Sequence, residues 1–266
     1  MAYSLIDIGV NLTHASFHQD REAIIERAQK AGVSPLIITG TSERISREAQ
    51  GLAEKYPGRL FSTAGIHPHH AKDCSEQGID TLRSLLQSPQ VVAVGECGLD
   101  FNRDFSPRPA QEKCFEAQLA LAAELQMPLF LHERDAHERF CAIVREQQSR
   151  LAGGVVHCFT GASQELDAYL ELGFYIGITG WICDERRGKH LLELVRRIPA
   201  ERLLLETDSP FLIPRSLRPR PWRNEPCYLP HILYTVAKAT GRPMATVAAQ
   251  SREAVFHCFP KMQRQC

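Results

Sequence analysis

Along the whole chain, short apolar, β-branched runs alternate with longer stretches of helical period, and this rhythm restricts the fold more than any other property of the sequence. The runs fall at 5–8, 36–39, 61–65, 91–94, 129–132, 155–157, 174–178 and 203–206. They are nearly continuous in apolar residues, as parallel strands covered on both faces must be. Helices are expected at 21–31, 110–126, 166–172, 229–240 and 244–256. Gly32 and Gly173 end the first and third, Pro107 and Pro109 precede the body of the second, and Pro243 stands at the start of the last. Eight strand–helix units in 266 residues match an α/β fold, a single (β/α)8 TIM barrel spanning 1–266, since such barrels typically need about 250 residues. An open doubly wound sheet is the runner-up. It would show a Gly-rich phosphate loop after the first strand, and Asp7-Ile8-Gly9-Val10-Asn11-Leu12 is not one.

Composition removes several classes. No run reaches the roughly 18 apolar residues of a membrane-spanning helix. Lys plus Arg equals Asp plus Glu at 31 each, which excludes coating of nucleic acid by bulk charge but leaves room for a local basic patch. The N-terminal residues lack a basic segment followed by a long apolar one, so a cytoplasmic protein is expected. The 9 cysteines include no C-x-x-C pair and suit free thiols in a reducing compartment.

In a barrel of this kind the active site lies at the C-terminal strand ends. Those ends carry Asp7 and Asn11, His67, Glu96, His132, His157 and Asp208. Carboxylates and imidazoles converging from different strands are the ligand set of a divalent cation. Polar residues at a barrel rim are the plainer reading, and the histidines alone do not decide between the two. Glu96 and Asp208, just beyond β-rich runs, add weight because acidic residues are disfavoured in strands. Glu96 stands between glycines in Gly95-Glu96-Cys97-Gly98, where backbone can approach a ligand closely. In Glu206-Thr207-Asp208 the two acids share one strand face. Asp208 is nearer the mouth, and Glu206 is either a buried partner of a ligand or a paired core acid. The segment 214–223 concentrates Arg215, Arg218, Arg220, Arg223 and Trp222 directly after Asp208. A solvated loop is the usual fate of such a run, but its place at the mouth favours contact with phosphates and bases. Glu185-Arg186-Arg187 is either a further phosphate contact or a helix start. His14, His18, His190 and His257 read as surface or packing residues, His137 as a helix start, and Cys97 and Cys158 as small buried thiols.

Taken together, the segments Asp7-Ile8-Gly9-Val10-Asn11-Leu12, Thr63-Ala64-Gly65-Ile66-His67-Pro68-His69, Gly95-Glu96-Cys97-Gly98-Leu99-Asp100, His132-Glu133-Arg134-Asp135-Ala136, His157-Cys158-Phe159-Thr160-Gly161, Glu206-Thr207-Asp208-Ser209-Pro210 and Arg223-Asn224-Glu225-Pro226 resemble the TatD family of metal-dependent deoxyribonucleases, within the amidohydrolase-like barrels. The resemblance implies that Glu96, His132 and His157 bind divalent metal and that Asp208 completes the site and orients or deprotonates water. It places His67 beside them as a phosphate contact or acid, and Arg223 and Asn224 at the substrate, where His69 and, from the basic segment, Arg220 and Trp222 are expected as well. It implies Mg²⁺, with Mn²⁺ or Zn²⁺ compatible with the same ligands. Most of the family carries a His-x-His pair after the first strand, where this chain has Gly9 and Asn11. One firm metal site is therefore expected, with the second in doubt.

The leading expectation is a metal-dependent nuclease, a 3′→5′ exonuclease on single-stranded DNA or RNA, monomeric, serving DNA repair or nucleic-acid turnover. A small-molecule amidohydrolase on the same metal would have a closed, less basic pocket. A barrel that binds nucleic acid or protein without catalysis is a third reading, motivated by the missing His pair.

Overall fold

Parallel strands β1 (Leu5–Val10), β2 (Val33–Ile38), β3 (Leu60–Ala64), β4 (Val91–Asp100), β5 (Leu129–Arg134), β6 (Gly154–Val156), β7 (Tyr175–Ile178) and β8 (Leu203–Leu205) pair in chain order into one sheet of 8 strands. The structure, a computed structural model, describes residues 3–264. The sheet closes on itself just past β1 and β8. Val10 bridges Ser209 in parallel, Asn11 N–H donates to Ser209 O at 2.8 Å, and Asp208 N–H donates to Gly9 O at 2.8 Å. This is the expected (β/α)8 barrel.

Helices α1 (Arg21–Lys30), α2 (Glu43–Lys55), α3 (Glu76–Leu85), α4 (Arg108–Leu125), α5 (His137–Gln147), α6 (Ser163–Glu171), α7 (Lys189–Leu194), α8 (Leu229–Thr240) and α9 (Met244–Cys258) follow the strands. Two apolar layers result. Ile6, Ile8, Ile37, Phe61, Phe130, Val155 and Leu204 pack together, and Val255, Cys258, Phe259 and Met262 of α9 and the residues after it close over them. A second cluster joins the remaining strand residues to the helices, among them Ile24, Leu82, Phe115, Phe140 and Leu233. The floor is thus stopped by α9, and the opposite end is left for the site. Among the described residues no helix is long and apolar enough to cross a membrane.

Two differences from expectation have physical causes. Helices α5 and α7 lie outside the expected set, as do α2 and α3, whose apolar residues are spread among polar ones. The sequence signal of α2 and α3 is the N-cap: Ser42 accepts from Ile45 N–H at 3.3 Å and Ser75 from Gly78 N–H at 3.1 Å. Strand β4 runs on through Asp100 rather than ending at Val94. Gly98 reads as loop in sequence, yet a Cβ there would lie 1.9 Å from His132 O, so the glycine is what lets β4 lie against β5.

Candidate active site

A cavity of about 590 Å³ opens at the C-terminal end of the barrel. The two-residue period of the strands selects what faces it. Phe130 and His132, and Val155 and His157, are spaced so that each imidazole stands one layer above an interior apolar side chain.

Glu96 Oε1 is the hub. His157 Nε2 lies 2.7 Å from it, His132 Nδ1 2.9 Å and His67 Nε2 3.3 Å. Ligand atoms of His67, Glu96 and His132 all lie within 4.8 Å of one another, a spacing that fits a single metal ion. The buried Nε2 of His132 has no hydrogen-bond partner. Asp100 Oδ2 stands 3.4 Å away, close enough to attract but not to bond. An unpaired buried imidazole nitrogen is costly in the protein alone, and a cation would use it. The donor set therefore fits a divalent ion.

Charge in this cluster is strongly coupled. Burial opposes ionisation of Glu96, but the charge of His157, the neighbouring His67 and the hydrogen bonds from His132 and His157 outweigh it and hold the carboxyl well below its usual range. Burial likewise opposes protonation of His157, yet Glu96 and Glu206 on its two sides push it well above the ordinary imidazole value. His67 goes the other way, its burial lowering it to about 4. Its Nδ1 accepts His69 N–H at 3.1 Å, so the ring hydrogen sits on Nε2. Burial raises Asp208 to about 7, with Glu96 and Glu206 adding to the rise.

Asp208 is held in the left-handed region at φ +53°. Its Oδ1 accepts from Asn11 Nδ2 at 3.0 Å. Asn11 thus turns its amide hydrogens toward the acid instead of offering oxygen to a metal. On the other flank His69 Nε2 lies 2.7 Å from Asp100 Oδ2, and Asp100 also accepts from Asn102 N–H at 3.1 Å and Arg103 N–H at 2.8 Å. Although burial opposes it, the nearby His132 and hydrogen bonds from His69 and Arg103 hold the Asp100 carboxyl far below its usual range.

The cavity brings together His67, His69, Glu96, His132, His157 and Asp208. It does not bring in Arg220, Trp222, Arg223 or Asn224, none of which lines it. Arg223 is buried and bonds Asp20 and Glu225, and Glu225 is gripped in turn by Arg27 at 2.8 Å. Asn224 is fully buried, donating to Thr207 O at 2.9 Å and Phe211 O at 2.7 Å. Both brace the loop after β8, while Trp222 is 77% exposed on its outer side. Conversely, Asp100, Arg103, Arg134, Trp181 and Phe211 line the cavity without having been singled out as site residues, and Arg187, from the segment read as a phosphate contact or a helix start, lines it too. His14, read as a surface residue, also lines it and meets Phe211 edge-on at 5.3 Å. Asp100 was legible only to a reader who carried β4 through both glycines.

A profile of the family described as TatD related DNase matches residues 6–260. A "3'-5' ssDNA/RNA exonuclease TatD" from Pantoea sp. (strain At-9b) is 57% identical over 248 residues, which cover 92% of this chain and 95% of that protein. Its namesake from Klebsiella pneumoniae (strain 342) is 53% identical over 249 residues, 93% of this chain and 94% of the relative. Among solved structures, the TatD homolog YJJV from Escherichia coli K12 superposes with a TM-score of 0.89 at 28% identity, covering 98% of this chain and 99% of the other. These likenesses favour the nuclease over the small-molecule amidohydrolase. With the barrel, the carboxylate–imidazole cluster and a match running nearly end to end, the chain belongs to the family of TatD-related DNases, metal-dependent hydrolases of phosphodiester bonds.

Proposed function

We propose that this chain trims single-stranded DNA, and RNA, from the 3′ end, with one Mg²⁺ held by Glu96, His132 and His157 and completed by Asp208. The observation that carries this reading is the convergence of three imidazoles on Glu96 beside the unpartnered His132 Nε2. An ion bound there would neutralise non-bridging phosphate oxygens and lower the pKa of a neighbouring water. Mn²⁺ and Zn²⁺ suit the same donors. A single ion is favoured because Gly9 offers no side chain and the Asn11 amide is spent on Asp208.

The remaining work falls to the protein's own groups. Asp208, at about 7, can take a proton from the attacking water near neutral pH. His67, neutral with hydrogen on Nε2, is a donor to a phosphate oxygen. At about 4 it is a poor proton source, so of its two expected roles the phosphate contact is the supported one. His69 is clamped by Asp100 at the cavity wall, where it can meet substrate.

Single-stranded substrate is supported by the wall itself. Phe211 lines the cavity while 48% exposed, and the Arg187 guanidinium lies 4.5 Å from the Trp181 ring centroid. Aromatic faces interleaved with arginines stack bases and hold backbone. Arg220 and Trp222, exposed on the loop after β8, would meet the rest of the strand. The relatives named 3'-5' ssDNA/RNA exonucleases point to the same polarity. A monomer acting in the cytoplasm, in DNA repair or nucleic-acid turnover, is the accompanying reading. The free state of the cysteines among the described residues supports a reducing compartment, and the scattered exposed hydrophobics support a monomer.

The test is digestion of a 5′-labelled single-stranded oligonucleotide by chelator-stripped protein with Mg²⁺, Mn²⁺ or Zn²⁺ restored, with Glu96→Ala alongside. A metal-dependent ladder shortening from the 3′ end, absent in the variant, is the expected result. Cleavage by Glu96→Ala at the wild-type rate would remove the site assignment.

A further inference from the structure

Glu206 lies beneath the cavity and takes no part in the chemistry above. It is fully buried, and both its oxygens are committed. Oε2 accepts from His157 Nδ1 at 3.3 Å, and Oε1 accepts from Cys158 N–H at 2.5 Å. The room it occupies exists because two neighbouring positions have no side chain. A Cβ on Gly9 of β1 would lie 2.5 Å from Oε2, and a Cβ on Gly177 of β7 would lie 2.5 Å from Oε1. The strands on either side of β8 thus open a slot for this one carboxylate. The His157 ring is also braced on a face by Phe130, with centroids 4.8 Å apart and planes tilted by 30°.

We infer that Glu206 is a positioning residue for the ion site: it holds Nδ1–H of His157, leaves the Nε2 lone pair for the ion, and is itself kept in register by Gly9 and Gly177. The inference rests on the reading of His157 as an ion ligand. An imidazole ligand is fixed in tautomer and orientation by whatever accepts its other N–H, and losing that acceptor typically costs about 10–100-fold in metal affinity. The same carboxylate also anchors the backbone that carries the ring. Cys158 sits at φ +48°, a region uncommon for residues other than glycine, and its N–H is bound to Oε1. Glu206 is not placed to be a ligand itself, because both oxygens already accept from N–H groups.

The test is calorimetric titration of Mn²⁺ into chelator-stripped, full-length protein, with the melting temperature of each stripped protein measured in parallel. The proteins are wild type, His157→Ala, Glu206→Gln, Gly9→Ala and Gly51→Ala. Glutamine keeps one acceptor oxygen, so one of the two N–H donors must face an NH₂. Gly9→Ala keeps every polar group and displaces only Oε2. Gly51, with nothing within 4 Å of its Cβ, is the control. Glu206→Gln and Gly9→Ala should each weaken Mn²⁺ binding about 10–100-fold while remaining folded at the titration temperature, and Gly51→Ala should bind as wild type. If Glu206→Gln does not fold, Gly9→Ala decides. Wild-type affinity in Glu206→Gln and Gly9→Ala, with binding lost in His157→Ala, overturns the role of Glu206 and leaves the ion site standing. Wild-type affinity in His157→Ala overturns both.

Discussion

Single residues in this barrel are held in states their isolated chemistry would not choose, and Asp7 shows it most plainly. Fully buried below the site, it accepts Thr207 N–H at 2.9 Å and Gly9 N–H at 3.3 Å on Oδ1, and meets Thr207 Oγ1 at 2.6 Å through Oδ2. Burial raises its carboxyl to about 8 against those donors. Its unfolded value is near 3.8, so between the two the folded chain binds a proton the unfolded chain has lost. The contribution of Asp7 to stability is therefore complete below pH about 3.8 and declines as pH rises toward 8. Asparagine reproduces the protonated acid: its oxygen keeps both N–H bonds and its NH₂ can donate to Thr207 Oγ1, which already reaches Ser209 Oγ at 3.0 Å. In chelator, the melting temperature of wild type minus that of Asp7→Asn should fall from pH 5 to pH 8, by up to about 3–5 °C per pH unit. A difference flat with pH, read by calorimetry, would mean that Asp7 is already ionised in the fold. Phe211 gives a second expectation at this scale. Loss of one base-stacking face costs about 1–3 kcal/mol, so Phe211→Ala should raise KM for an oligonucleotide roughly tenfold with kcat little changed. Steady-state kinetics on a labelled strand would show it.

At the scale of elements, the loop after β8 shows why a basic, aromatic segment was easier to find than to interpret. Its arginines are visible in the sequence, but their partners are distant: Asp20 precedes α1, and Glu225 is shared with Arg27 within that helix. No local pattern announces an ion network closed by the fold. Arg223→Ala should leave Glu225 and Asp20 short of a partner and destabilise the protein by roughly 2–3 kcal/mol, at the lower end for a buried pair because Asp20 is partly exposed. That corresponds to a fall of about 5–10 °C in melting temperature. A residue whose only task was to touch phosphate would instead leave melting unchanged and flatten the dependence of KM on salt, so thermal melting and a salt series on the same variant separate the two roles. The strands were legible because burial on both faces writes itself as apolar runs. The histidines of the cluster were legible because each stands at or just beyond the C-terminal end of such a run. Helices α2 and α3 and the far half of β4 were not, because a serine cap and two glycines are small signals beside hydrophobic periodicity.

For the molecule as a whole, the seam that closes the barrel and the site are the same place. Between β1 and β8 the sheet is joined by the Val10–Ser209 bridge, the Asn11–Asp208 and Asp7–Thr207 hydrogen bonds, and little regular ladder. Asp208 therefore serves the seam and the proposed ion together, and whatever binds Asp208 and Glu96 ties the last strand to the rest of the cluster. Binding to the folded state alone adds RT ln(1 + [L]/Kd), about 2.7 kcal/mol at a hundredfold excess over Kd, or roughly 5–10 °C for a chain of this size. Saturating Mg²⁺ or Mn²⁺ should raise the melting temperature of chelator-stripped wild type by that amount. In hydrogen exchange it should also slow the Asn11 and Asp208 amides, which span the seam, more than amides at the floor of the barrel beside α9. Glu96→Ala should lose the ion-linked rise in melting. A rise that persists in Glu96→Ala, or protection gained uniformly over the barrel, would place the ion elsewhere and separate the seam from the site.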